Sequence, residues 1–223
     1  MILAVTGGKG GVGKSTVALN VAAALDATLV DADLGMADLP TGRGPDLHDV
    51  LAGRADVREA LTRAGPLRLV PCGRTLAGAR AAEPTALADV LERLERAAGP
   101  VVVDCPAGLS SDVGVPLVAA TACLLVSRPA EAALTAALRV RELARALDAP
   151  LVAVALTTDP GLDVETADVA AVLGAPVTRI PHSRAVATAQ SAGLPVTAVA
   201  PEEPAAERFE ALADAVHSSR SAT

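Results

Sequence analysis

Short runs of Val, Ile, Leu and Ala alternate along the chain with longer stretches of helical spacing. The runs near 2–6, 28–31, 67–70, 100–104, 122–127, 150–156 and 176–180 read as strands. Their near-continuous apolar character is what strands covered on both faces require. Helical patterns fall between them, near 14–25, 46–52, 85–98, 131–147, 164–173 and 184–192. Gly and Pro punctuate the boundaries at Gly65-Pro66, Gly99-Pro100, Ala149-Pro150, Gly174-Ala175-Pro176 and Gly193-Leu194-Pro195. Strand–helix alternation of this kind predicts an α/β fold, a mostly parallel sheet flanked by helices on both faces. A last helix near 204–217 carries Phe209, Leu212, Ala213 and Val216 as an apolar stripe that docks onto the domain. With no repeat or long linker, residues 1–218 read as one domain and 219–223 as a frayed tail.

Composition narrows the picture. A domain of 223 residues buries roughly 70% of its unfolded surface and needs no disulfides. The chain is 51% apolar, but Phe209 is its only Phe, Tyr or Trp, so the core is built from small aliphatic side chains. The formal net charge is −7, and Lys9 and Lys14 are the only lysines. Such usage fits a GC-rich genome or a salty cytoplasm equally well. No basic block is present, which disfavours nucleic acid as a partner, since phosphate contacts need clustered Lys or Arg. Cys72, Cys105 and Cys123 lack metal-ligand spacing and read as buried thiols in a reducing cytoplasm. The start has no basic n-region, and no apolar run approaches the roughly 20 residues of a membrane span.

The first predicted strand runs into Gly8-Lys9-Gly10-Gly11-Val12-Gly13-Lys14-Ser15, which satisfies G-x-x-x-x-G-K-[ST] and opens a predicted helix. Glycines let the backbone wrap a phosphate, and successive N–H groups of Gly10, Gly11, Val12, Gly13, Lys14, Ser15 and Thr16 then form an anion nest. The helix dipole adds to it. Lys14 is placed to reach the β- and γ-phosphates, and the Ser15 hydroxyl to sit on Mg²⁺. Lys9 is not required by the general motif; by itself it is an additional cation within reach of the phosphates.

Two acidic motifs complete the set. Val30-Asp31-Ala32-Asp33-Leu34-Gly35 ends the second strand, so both acids face the crevice where α/β sheets bind ligands. For either acid alone, a turn-forming role is a respectable alternative. Val101-Val102-Val103-Asp104 is an apolar strand that delivers a carboxylate to its tip, where it can hold a magnesium-bound water. Cys105-Pro106-Ala107-Gly108 follows, and the Gly108 N–H is placed to meet a γ-phosphate.

The run K-G-G-V-G-K-S-T resembles the deviant Walker A box of the MinD/ParA family of P-loop ATPases. The D-x-D and D-x-P-A-G motifs resemble its two switches. Leu47-His48-Asp49-Val50-Leu51-Ala52-Gly53 and Val70-Pro71-Cys72-Gly73 are similar to the MinD branch. The resemblance covers roughly residues 2–200. It implies a P-loop NTPase fold, ATP and Mg²⁺ as ligands, and a homodimer formed on ATP binding. It also implies Asp33 and Lys9 as catalytic groups, Lys9 crossing the dimer interface, and Ser15, Asp31 and Asp104 around the metal.

The chain departs from the family in several places. The connection before Asp31, Ala27-Thr28, is short. Thr157-Thr158-Asp159 stands where the family has a base-reading Asn, which leaves base contacts to the backbone near Pro181 in Pro181-His182-Ser183. The tail from Glu207 to His217 is acidic and thinly apolar, so no autonomous membrane anchor is expected.

The function these features predict is a cytoplasmic, ATP-hydrolysing dimerisation switch. It positions or regulates an unidentified protein partner, in cell division or spatial organisation, and membrane recruitment is left to that partner. A non-hydrolysing nucleotide-binding adaptor is the alternative, and an Mrp-type cluster carrier is weakened by the lack of paired cysteines after Cys123. His48, His182 and His217 are too far apart to suggest a ligand set and are assigned solvated or capping roles. Arg139, Arg141 and Arg145 read first as a solvated helix face, with a partner surface as the alternative.

Overall fold

The first strand, β1 (Ile2–Thr6), sends Leu3 and Val5 into one core and Ile2 and Ala4 into another. That period-2 division of a fully apolar run is what a central strand between two helical layers needs. The computed structural model describes residues 1–35, 39, 43–108, 111–160 and 165–220. Among these, β2 (Thr28–Asp31), β3 (Thr62–Ala64), β4 (Leu67–Val70), β5 (Val101–Asp104), β6 (Ala122–Ser127), β7 (Leu151–Thr157) and β8 (Val177–Ile180) join β1 in one sheet. Its order is β3-β4-β2-β5-β1-β6-β7-β8. Every pair is parallel except β3 with β4. This eight-stranded sheet with its helices is a P-loop NTPase architecture.

The helices are α1 (Lys14–Ala24), α2 (Leu47–Leu51), α3 (Leu76–Ala81), α4 (Leu87–Ala98), α5 (Ser111–Ala119), α6 (Glu131–Ala146), α7 (Thr166–Leu173), α8 (Arg184–Ser191), α9 (Val196–Val199) and α10 (Pro204–Arg220). Side chains from α1, α8, α9 and α10 close one face of the sheet, and those from α2, α4 and α5 the other. A third cluster sets α6 and α7 against β6 and β7. The stripe of α10 is buried as expected, with Phe209, Leu212, Ala213 and Val216 at 4% exposure or less.

Three helices and one strand are additional to the sequence expectation. β3 is a half-exposed antiparallel edge without an apolar run. α5 carries Gly114 and Pro116, residues of low helix propensity. α3 and α9 are too short to show a period. At the other end, α10 continues to Arg220, beyond the expected boundary at 217. The expected helix start at residue 164, and residues 221–223 of the expected tail, lie outside the described residues.

Candidate nucleotide site

The carboxyl ends of β2, β5 and β1 lie side by side, since β5 pairs with both neighbours in register. β1 leads into the glycine loop. Gly13 ends that loop as the N-cap of α1, with φ of 93° in the left-handed region. A side chain there would be strained. The loop divides its two lysines. Lys14, on the first turn of α1, is buried, and its stem passes close to Gly7. Lys9, Gly10 and Gly11 are exposed, Val12 is buried, and Ser15 and Thr16 are half-buried. Thr16 donates its hydroxyl hydrogen to Gln190 of α8. Asn20, one turn further, ties the Thr16 carbonyl to the N–H of Val196 at distances of 2.8 and 2.7 Å.

Asp31 and Asp104 are cross-strand partners and both are buried. Asp31 Oδ1 accepts the Asp33 N–H at 3.2 Å, while Oδ2 is buried without a hydrogen-bond partner. Burial, reinforced by the Asp104 and Asp33 charges, pushes the Asp31 carboxyl up to about 8, against the opposing pull of the Asp33 and Leu39 N–H groups. A pair of adjacent buried carboxylates with an oxygen left over is a donor set that fits a hard dication. Asp33 is half-buried at the mouth of the same crevice. Gly108, after β5, donates its N–H to the Gly7 carbonyl at 3.2 Å.

On the other side of the loop, a cavity of about 160 Å³ lies between Gly13, Thr16, Thr158, Pro181 and Gln190. Thr157 belongs to β7, and its hydroxyl faces the Val12 and Ser127 carbonyls at 2.9 and 3.2 Å. Its single hydrogen is therefore taken up inside the protein. Asp159 pairs with Arg128 at 3.6 Å.

The sequence missed one part of this region. His48 is not a solvated or capping residue: it is buried, with Nε2 3.2 Å from the Leu34 carbonyl and 3.6 Å from Cys72 Sγ. Cys72 Sγ in turn donates to the Asp33 carbonyl at 3.1 Å. Burial, with the Asp31, Asp33 and Asp46 charges, raises the Cys72 thiol far above its usual range, so it remains a donor. Nothing in the sequence spacing joins His48 to Cys72, which lie 24 residues apart. All three thiols are free and buried, and burial pushes Cys123 up to about 12. Arg141 and Arg145 lie on an exposed helix face, where both pair with Glu142.

Comparison with known proteins identifies the family and the fold. The family model of the CobQ/CobB/MinD/ParA nucleotide binding domain matches residues 3–196. An ATP-binding protein of Methanocaldococcus jannaschii is 28% identical over 95% of this chain and 85% of its own. The cell division ATPase MinD of Pyrococcus furiosus superposes with a TM-score of 0.90 at 29% identity, covering 97% of this chain and 98% of that one. The septum site-determining protein MinD of Pyrococcus horikoshii, complexed with Mg-ADP, gives 0.89 at 27% identity, covering 96% and 95%.

Proposed function

The chain belongs to the CobQ/CobB/MinD/ParA nucleotide-binding domain family, and on that premise we propose that it is a MinD-like ATP hydrolase whose ATP-bound form is a homodimer acting on a protein partner. ATP and Mg²⁺ are its ligands, as Mg-ADP is for the Pyrococcus horikoshii relative. One observation carries the reading. Two buried carboxylates, Asp31 and Asp104, stand in register beside a phosphate loop that also exposes a second lysine, Lys9.

In this reading residues 1–218 work as one ATPase domain. The N–H groups of Gly10 to Thr16 cradle the phosphates, and Lys14 neutralises the β- and γ-oxygens. Ser15, Asp31 and Asp104 hold Mg²⁺, directly or through water, and the ion supplies charge neutralisation on the phosphate oxygens. Asp33 aligns a water for attack on the γ-phosphorus and takes up its proton as ADP leaves. Lys9 reaches the nucleotide of the other protomer and stabilises the charge that develops there. The Gly108 N–H exchanges the Gly7 carbonyl for the γ-phosphate, which makes the loop after β5 sensitive to hydrolysis. The base rests on the backbone near Pro181, because Thr157 has its hydrogen committed to Val12 and Ser127. The protein is cytoplasmic, and any membrane recruitment belongs to the partner.

The test is ATP turnover per protomer against protein concentration. The native chain is expected to turn over faster as concentration rises. Lys9→Ala and Asp33→Ala are each expected to lose about 10²-fold or more, the scale of one transition-state contact. Asp33→Ala is expected to keep its ATP affinity. Concentration-independent turnover that survives Lys9→Ala would overturn the sandwich dimer. ATP binding with no turnover at any concentration would favour the adaptor reading.

A further inference from the structure

We propose that His48 and Cys72 are positioning residues for Asp33, a pair that fixes the backbone on which its carboxylate is carried. The inference rests on the reading of Asp33 as the group that aligns the attacking water. Asp33 follows β2 in irregular backbone, so its placement depends on what its peptide groups bind. Its N–H goes to Asp31 Oδ1 at 3.2 Å, and its carbonyl accepts the Cys72 thiol at 3.1 Å. The next carbonyl, of Leu34, lies 3.2 Å from His48 Nε2, and the Leu34 N–H donates to Ala32 at 3.0 Å. A carbonyl so close to a ring nitrogen requires that nitrogen to be the donor, which assigns the Nε2–H tautomer. The carbonyls of two consecutive residues, Asp33 and Leu34, thus meet two neighbouring buried donors, which are themselves 3.6 Å apart.

The donors are held from outside the switch. Cys72 sits just past β4, the neighbour of β2, and the N–H groups of Leu47 and His48 donate to the Pro71 and Cys72 carbonyls at 2.8 and 3.0 Å. The His48 ring packs closely against Gly73: a Cβ there would come within 2.1 Å of Nδ1. Glycine at 73 is therefore a requirement of the ring's position. Together Leu34, His48, Cys72 and Gly73 line one wall of a cavity of about 460 Å³. The side chains of the pair bond to the Leu34 and Asp33 carbonyls and to each other, so their effect on turnover runs through Asp33. A displacement of about 1 Å in a catalytic group is enough to cost about 10²-fold in rate.

The experiment is steady-state ATPase kinetics of the full chain with a parallel measurement of ATP affinity and thermal midpoint. Cys72→Ala is expected to lower kcat about tenfold with KM for ATP unchanged. Cys72→Ser, which keeps a donor to the Asp33 carbonyl, is expected to recover most of that loss. His48→Gln, which retains an N–H near the Nε2 position, is expected to outperform His48→Ala by several-fold in kcat. Should His48→Ala fail to fold, the Cys72 pair and His48→Gln decide the matter. Native kcat in Cys72→Ala, or equal kcat in Cys72→Ala and Cys72→Ser, overturns the proposal while leaving the role of Asp33 intact. Full turnover in Asp33→Ala instead removes the reading beneath it, and the proposal falls with it.

Discussion

Asp31 is the residue whose chemistry is most at odds with its surroundings. It is fully buried, faces Asp104 across the sheet, and retains a carboxyl oxygen with no partner. With its carboxyl pushed up to about 8 from an ordinary 3.8, the folded protein keeps a proton that the unfolded chain has released over that window. The folded state therefore binds more protons than the unfolded state between about pH 4 and 8, and stability falls as pH rises through it. The contribution is fully present below about pH 4 and lost above about pH 8, at up to about 1.4 kcal/mol per pH unit. Nucleotide-free protein is expected to melt at progressively lower temperature from pH 5 to 8. Asp31→Asn, which still accepts the Asp33 N–H, is expected to flatten that slope and to be more stable than the native chain at pH 8 by several kcal/mol. It is also expected to lose ATPase activity. Thermal melts of both chains across pH settle the point: identical slopes would mean that Asp31 is ionised in the folded protein throughout. A buried carboxyl held protonated beside a second one is the pattern of a site that would ionise on taking up a cation.

At the scale of elements, the central strands were legible because each is a short apolar run that ends on a turn residue, and the helices between them because they are long enough to repeat. Asp31 and Asp104 were legible for the same reason: each is the polar residue that terminates such a run. The glycine loop needed only its spacing. β3 was not legible, since Thr62-Arg63-Ala64 lacks an apolar run, nor was α5, where Gly114 and Pro116 mask the period. His48 and Cys72 were invisible as a pair because their relation exists only through the packing of α2 against the end of β4. α10 carries a prediction at this scale. Phe209 is the largest fully buried side chain and sits where α10 packs against the core behind α1, bordering the cavity near Thr16 and Gln190. In a core otherwise made of small aliphatic groups, neighbours cannot swing in to fill its volume. Phe209→Ala is expected to destabilise the protein by about 3–5 kcal/mol, read as a lower midpoint in urea with an unchanged slope. A loss below about 1 kcal/mol would show that α10 is not integral to the core.

For the whole molecule, charge and exposed apolar surface decide which large partners it meets unaided. The net charge is −7, and the arginines are spread among acids rather than gathered. Among the described residues, the exposed large apolar side chains Leu76, Val118, Val172 and Val199 lie on four different helices. Among the described residues, no helix is long and apolar enough to cross a membrane. α10, the helix nearest the end of the described chain, turns its stripe of Phe209, Leu212, Ala213 and Val216 inward. Its described outward face carries the acids Glu207, Glu210 and Asp214 beside Arg208 and His217. Laying that helix on a bilayer would require tearing the stripe out of the core, at several kcal/mol for Phe209 alone. It would also bring acids against anionic headgroups. Duplex DNA presents the same sign of charge and needs clustered cations to release its counterions. The chain with ATP and Mg²⁺ is therefore expected to stay in the supernatant when spun with anionic phosphatidylglycerol vesicles or with plasmid DNA at physiological salt. Its ATPase rate is expected to be indifferent to both. ATP-dependent pelleting with vesicles alone would mean that α10 or another face is released on nucleotide binding.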